Sequence, residues 1–210
     1  MTFPVDLTTL LVFIPAALAL NLTPGADMLF SLGQGLRGGV RPAVAAASGV
    51  ALGGMVHTAI AGLGLGAVMA THPGLFDVIR WAGVVYLLWL AVGALRQGVI
   101  KPGKAPKLSA ARAFRDGFLV NLTNPKFIFF VLAFIPQFVN PAHGAVLAQF
   151  LIFGLVIGIG GVIVNSAVGI TAGGLGHHLA TSPRLTRGLG YASATVFTLL
   201  AVRLALLQKA

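Results

Sequence analysis

Two short runs, NLTPGAD from Asn21 to Asp27 and NLTNPK from Asn121 to Lys126, place amides, hydroxyls, prolines and a single charge inside otherwise apolar sequence. These residue types suit the binding of a small zwitterion. Lys126 can hold a carboxylate and Asp27 can take an ammonium or a proton, while Asn21, Thr23, Asn121, Thr123 and Asn124 supply donors and acceptors between them. In water, Thr-Pro-Gly reads as a helix start, with Thr23 as N-cap and Pro24 in the first helical position; Asn124-Pro125 reads the same way. Within an apolar run a proline removes a backbone hydrogen bond and clashes with the preceding turn, so each run predicts a broken helix. Such a break is tolerated in a membrane only where it is buried in protein or lines a cavity. Each new helix start offers free N–H groups and about half a positive charge. Pro24, Gly25 and Pro125 therefore join the expected anion site through their backbone.

The elements that must position these residues are membrane spans. Of the 210 residues 57% are hydrophobic and only 9% charged, with a mean hydropathy of +0.95. An average soluble domain is about 25% charged, so lipid must cover much of this surface. The only acids are Asp6, Asp27, Asp77 and Asp116. The net charge of +10 resides in short gaps between apolar segments, and no basic face with aromatic platforms can be drawn, which argues against nucleic acid. The absence of cysteine excludes disulfides, thiol redox chemistry and thiolate metal sites. The leading MTFPVD carries Asp6 and no base, so the first apolar run is expected to be a retained span and not a cleaved signal.

A span needs about 20 mostly apolar residues. Six are found, at residues 7–32, 42–70, 75–95, 117–138, 145–172 and 189–207. The longest gap, QGVIKPGKAPKLSAARAFRD from Gln97, reads as a flexible loop at the midpoint of a single transmembrane domain. Basic loops stay in the cytoplasm. Arg37, Arg41, Arg96, Lys101, Lys104, Lys107, Arg112, Arg115, Arg184 and Arg187 all fall on one side; Arg80, Arg203 and Lys209 lie on the other. Both termini are therefore expected outside.

Three spans per half force the second half to enter the membrane from the opposite side. The expected fold is an all-α membrane protein of six helices in two inverted three-helix repeats, about residues 5–98 and 116–209, joined by a cytoplasmic loop at about 97–115. Helices one and four are broken near the midplane. ALGGMVHTAIAGLGLGAV in the second span resembles GIGGVIVNSAVGITAGGL in the fifth when the double glycines are aligned. The pairs Gly49/Gly53, Gly62/Gly66, Gly154/Gly158 and Gly169/Gly173 put small residues on one helix face and predict close helix packing. Glycine-rich faces also leave a homodimer open.

A charge near the bilayer centre costs about 2.5–3.5 kcal/mol on insertion scales, so Asp27 and Lys126 need a purpose or each other. Either they lock two spans together as a structural pair, or Asp27 meets a substrate ammonium or a proton while Lys126 and the helix ends hold the carboxylate. His57, central in the second span, either titrates in a proton pathway or packs as a neutral ring. His177-His178 reads as a polar loop more readily than as a metal site. No cofactor is implied. An intramembrane hydrolase would need an activated serine, but Ser48 in Ala46-Ala47-Ser48-Gly49 and Ser166 lack a supporting motif. Cation or metal efflux would have only Asp27 and His57 as ligands, with Lys126 repelling the ion.

The chain resembles the LysE/RhtB family of bacterial amino-acid exporters over essentially its whole length. The residues that carry the resemblance are NLTPGADMLFSLGQGLRGG, GVVYLLWLAVGALR and FRDGFLVNLTNPKFIFFVLAFIPQF. Two positions depart from the family pattern: Ala26 stands where a second proline is usual, and Ala43 where a glycine is frequent. The resemblance implies outward transport of amino acids or related small metabolites across the bacterial inner membrane, driven by proton exchange. With one intramembrane acid, a neutral amino acid is expected over a cationic one.

Overall fold

The computed structural model describes residues 4–71, 75–96, 108–172 and 182–206, and every regular element among them is helical. The elements are α1 (Leu7–Leu22), α2 (Ala26–Gly38), α3 (Val40–Thr71), α4 (Leu75–Arg96), α5 (Ala110–Leu122), α6 (Pro125–Phe129), α7 (Val146–Ile170) and α8 (Pro183–Leu206). α6 continues through a π-helical turn, Phe130–Phe134, and a 3-10 turn, Ile135–Phe138. Pro136 has no amide hydrogen to offer a carbonyl one turn back, which accounts for the loss of α-helical pairing there. Among the described residues four helices are long and apolar enough to cross a membrane. The pairs α1–α2 and α5–α6, bent by 55° and 54°, bring the total to six spans if each pair is one span.

Both breaks arise locally. The amide and hydroxyl of Thr23 both donate to the carbonyl of Ala19, closing α1. α2 then begins at Ala26 with Gly25 as its N-cap and no side-chain capping bond. This corrects the expected start: Thr23 is the C-cap of the preceding helix and Pro24 lies between the helices. The Thr23 side chain is turned back to the carbonyl of Ala19, and in that orientation its oxygen does not reach the amides of α2. The second break follows the expectation. Asn124 caps α6 by accepting from the Lys126 amide at 3.0 Å, and Pro125 is the first helical residue. The loop expected to run to Asp116 ends earlier, because Ser109 caps α5 by accepting from the Arg112 amide. His177-His178 and the centre of the basic loop lie outside the described residues.

The bundle is apolar outside as well as inside, with Phe150, Phe153 and Ile157 of α7 buried in its core. α7 buries Gly154, Gly161, Asn165, Ser166 and Gly169 and exposes Leu155, Ile159, Ile163 and Ile170. An outward leucine and isoleucine stripe with glycine and amide turned inward suits lipid as the solvent. The glycines allow backbone contact: a Cβ at Gly49 would lie 1.9 Å from the carbonyl of Phe114, and one at Gly117 2.4 Å from that of Ala46. α3 is thereby clamped to α5. Across its other side Gly62 meets Phe150 and Leu147 while Gly154 meets Thr58, which joins α3 to α7. Phe13, Phe130, Phe134, Phe138 and Phe153 stack beside this contact as one aromatic cluster.

Candidate functional site

The two breaks meet. Lys126, in the first turn of α6, reaches across to the end of α1 and donates its ammonium to the carbonyls of Leu20 at 3.1 Å and Thr23 at 2.8 Å. These carbonyls are the unpaired negative end of a helix, where a cation is stabilised. Gly25 makes the approach possible, since a Cβ there would come within 3.1 Å of Lys126 Nζ. The carbonyl of Lys126 itself accepts from the Tyr86 hydroxyl on α4, so the backbone as well as the side chain of this residue is held.

Asp27, in the first turn of α2, accepts from Asn121 Nδ2 at 3.3 Å through Oδ2. Asp27 and Lys126 do not form an ion pair within 4.0 Å; among the described residues such pairs are Arg80–Asp77 and Arg115–Asp116. Asn21 donates to the carbonyl of Ile157 on α7 at 3.1 Å and lies against Gly160 and Gly161. Asn121 lies in the corresponding way against Gly53 on α3. Each half's break asparagine therefore packs on the double-glycine stretch of the other half's long helix.

Asn21, Thr23, Asp27 and Lys126 line one cavity of about 20 Å³ together with Gly54, Phe127, Gly158, Gly161 and Asn165. Asp27 Oδ1 in its wall is buried without a hydrogen-bond partner, and so are Asn121 Oδ1, on the amide bonded to Asp27, and Asn124 Nδ2, on the cap of the helix that carries Lys126. They form two acceptors and one donor, the complement of an ammonium and a carboxylate. A space of 20 Å³ holds little more than one water-sized sphere, so the site is contracted.

Of the expected residues, Pro24, Gly25, His57, Asn121, Thr123, Asn124 and Pro125 do not line this cavity. Thr123 is exposed and back-bonds to Leu119 and Val120. The ring of Pro125 is also exposed, leaving that residue a backbone role. His57 stands behind Phe127, with ring centroids 6.0 Å apart, and its Nε2 is buried without a partner. Asn165, Phe127 and Tyr86 were not singled out from the sequence. Asn165 had a readable signal, a lone amide in the apolar run VIVNSAVG. Tyr86 had none, because its role depends on a carbonyl 40 positions away. A larger cavity of about 220 Å³ opens elsewhere, between Asp6, Thr9, Asn140, His143 and Arg203. None of the expected site residues lines it. Beside it the Thr9 amide, and then the Thr9 hydroxyl, hold the Asp6 carboxyl below its ordinary range.

A small cavity with Asn21, Asp27, Lys126 and Asn165 in a largely apolar wall, at the crossing of two helix breaks inside a bundle faced with apolar side chains, suits a membrane transport protein. Residues 18–208 match the model of the LysE type translocator family, and the chain belongs to that family. It is 32% identical over 191 residues to the homoserine/homoserine lactone efflux protein of Salmonella typhimurium, covering 89% of this chain and 90% of that one. It is 29% identical over 204 residues to the leucine efflux protein of Klebsiella pneumoniae, covering 94% and 95%. An uncharacterized membrane protein of Vibrio cholerae is 32% identical over 184 residues, covering 87% and 89%. No solved structure matches the chain. Family and relatives together indicate a membrane transporter and not an enzyme, in keeping with the family resemblance read from the helix-break motifs.

Proposed function

We propose that this protein exports a neutral amino acid or a close derivative across the bacterial inner membrane by proton antiport, and that the substrate binds between the two helix breaks. The observation that carries the reading is that Lys126 and Asp27 line one contracted cavity, with Asn121 bonded to Asp27 and Asn124 capping the turn that carries Lys126. The carboxylate is received by Lys126, Asn124 Nδ2 and the free amides at the start of α2, with Gly25 and Pro24 shaping the approach. The ammonium is received by Asp27 and Asn121. Asn21 and Thr23 close the wall, and Pro125 sets the start of α6. Two of the three ammonium N–H groups of Lys126 are engaged by Leu20 and Thr23, which leaves one for a substrate carboxylate. Asp27 carries the proton in the return step, with His57 behind Phe127 in a secondary proton role.

Relatives named for leucine and for homoserine efflux support a neutral substrate. The two inverted repeats are supported by the matched bends of 55° and 54° and by the reciprocal seating of Asn21 and Asn121 on the double glycines. The 20 Å³ cavity is far below the roughly 300 Å³ at which drug-sized pockets begin, so transport requires the repeats to move relative to one another.

The test is efflux from proteoliposomes loaded with labelled leucine, homoserine, lysine or phenylalanine, with and without an inward proton gradient. One neutral class is expected to leave faster with the gradient. Asp27→Asn is expected to abolish that acceleration and, because it also removes the carboxylate that receives the ammonium, to slow substrate exchange without a gradient while not abolishing it. Gradient-driven efflux that survives Asp27→Asn overturns the coupling role, and folded protein that moves none of the four overturns the amino-acid site.

A further inference from the structure

Asp27, Ser31 and Gln34 recur at four- and three-residue spacing, which aligns them on one face of α2. That face is turned inward, and Ser31 and Gln34 are both 0% exposed. Neither the hydroxyl of Ser31 nor either amide atom of Gln34 has a hydrogen-bond partner. Across from α2, on α7, the hydroxyl of Ser166 is likewise buried and unpartnered. Its neighbour Asn165 is 4% exposed and lines the central cavity. The two helices touch backbone to backbone at this level. A Cβ at Gly35 would lie 1.8 Å from the carbonyl of Gly169, and one at Gly169 would lie 2.9 Å from that of Ser31. Beside the contact, Leu32 and Ala172 form a small buried apolar cluster with Val168 packed on them.

An unpartnered buried hydroxyl or amide costs about 1–3 kcal/mol, and alanine or leucine at these positions would avoid it. Three such side chains in one seam, leading from Asp27 towards Gly38, are not accounted for by packing. They are accounted for if the seam is wet in another state. We propose that Ser31, Gln34, Asn165 and Ser166 line the route by which substrate reaches the central cavity from the Gly38 end of the bundle, shut in this structure by the contact of Gly35 with Gly169. The route carries hydroxyls and amides and, beyond Asp27 itself, no charged side chain among those named. This chemistry passes a zwitterionic amino acid without trapping it. The inference rests on the central site proposed above, and it adds the gate and the lining that site needs. Glycine at both contact positions lets α2 and α7 close to backbone distance, and separating them exposes polar groups that already lack partners.

Cysteine reactivity tests the route, because the chain has no cysteine of its own. Ser31→Cys, Gln34→Cys and Ser166→Cys are compared with Ala16→Cys, a control on α1 that is equally buried at 0% exposure. The reagent is a small cationic methanethiosulfonate, applied to purified protein that elutes as a single species, with and without leucine or homoserine. The seam cysteines are expected to react roughly tenfold or more faster than the control, as sites opened by a populated alternative state do. A Gly35→Ala background is expected to raise their rates and leave Ala16→Cys unchanged. Seam cysteines as inert as the control, in protein that transports amino acid, overturn the route and leave the central site standing. Reactive seam cysteines in protein that neither transports nor responds to any amino acid leave the route standing and overturn the amino-acid reading.

Discussion

Lys126 owes its position to three neighbours with unlike chemistry: the carbonyls that end α1, the hydroxyl of Tyr86, and the hydrogen atom that stands for a side chain at Gly25. Gly25→Ala places a methyl group 3.1 Å from Nζ and 3.4 Å from Cε. Both atoms belong to the flexible end of a side chain, so the fold adjusts while the ammonium is displaced. Backbone strain does not enter, because Gly25 is extended at φ −162°. The expected result is a melting temperature close to that of the parent and an efflux rate lower by about tenfold, equivalent to about 1.4 kcal/mol of lost stabilisation. Tyr86→Phe removes one hydrogen bond, worth about 1 kcal/mol, and is expected to slow efflux by a smaller factor. Parallel thermal melts and initial efflux rates check both; parent-like efflux in Gly25→Ala would show that the position of the ammonium does not govern transport. Asp27 and Lys126 were legible in the sequence because an isolated charge in an apolar run has few explanations. The partners of Lys126 were not, since any stretch of chain offers carbonyls and only the fold decides which ones end a helix.

At the scale of elements, glycine controls how closely the helices approach. The sequence pattern indicated that α3 and α7 are tightly packed, and the structure adds that α3 grips α5 of the other half through Gly49 and Gly117. A pattern of small residues marks a packing face but carries no information about which helix will meet it. The start of α2 departs from the sequence expectation for a related reason. Thr-Pro-Gly allows Thr23 to cap forward or to bond back to Ala19, and burial among α1 neighbours selects the second. Gly117→Ala would put a methyl group 2.4 Å from the Ala46 carbonyl, which must then move. Overpacking of this kind costs about 1–3 kcal/mol. Gly93, on α4, has no atom within 4 Å of a built Cβ, and Gly93→Ala is expected to gain about 0.5–1 kcal/mol from helix propensity alone. Thermal melts in one detergent check the pair. If Gly117→Ala melts with the parent, the α3–α5 contact does not limit stability.

The whole molecule is a reciprocal construction in which each break is seated on the partner half, and its orientation in the membrane follows from which ends of the helices share a side. The start of α1, the residues Asn140 and His143 and the end of α8 line one cavity, so they lie at one end of the bundle. An even number of spans requires this of the two termini. Among the described residues Arg37, Arg41, Arg96, Arg112, Arg115, Arg184 and Arg187 sit near helix ends and none lines that cavity, and the tendency of basic ends to stay in the cytoplasm predicts that the cavity end faces outward. Ala142 and Ala111 report on the two ends with little disturbance: both are exposed, and each accepts a one-atom change to cysteine. In intact cells an impermeant maleimide is expected to label Ala142→Cys and to leave Ala111→Cys unlabelled until the membrane is permeabilised. The reverse pattern would invert the protein in the membrane and make the seam between α2 and α7 the outer route. Labelling of both positions from outside would mean that one bent pair turns back without crossing. It would remove the odd number of spans per half on which the inverted relation of the two halves depends.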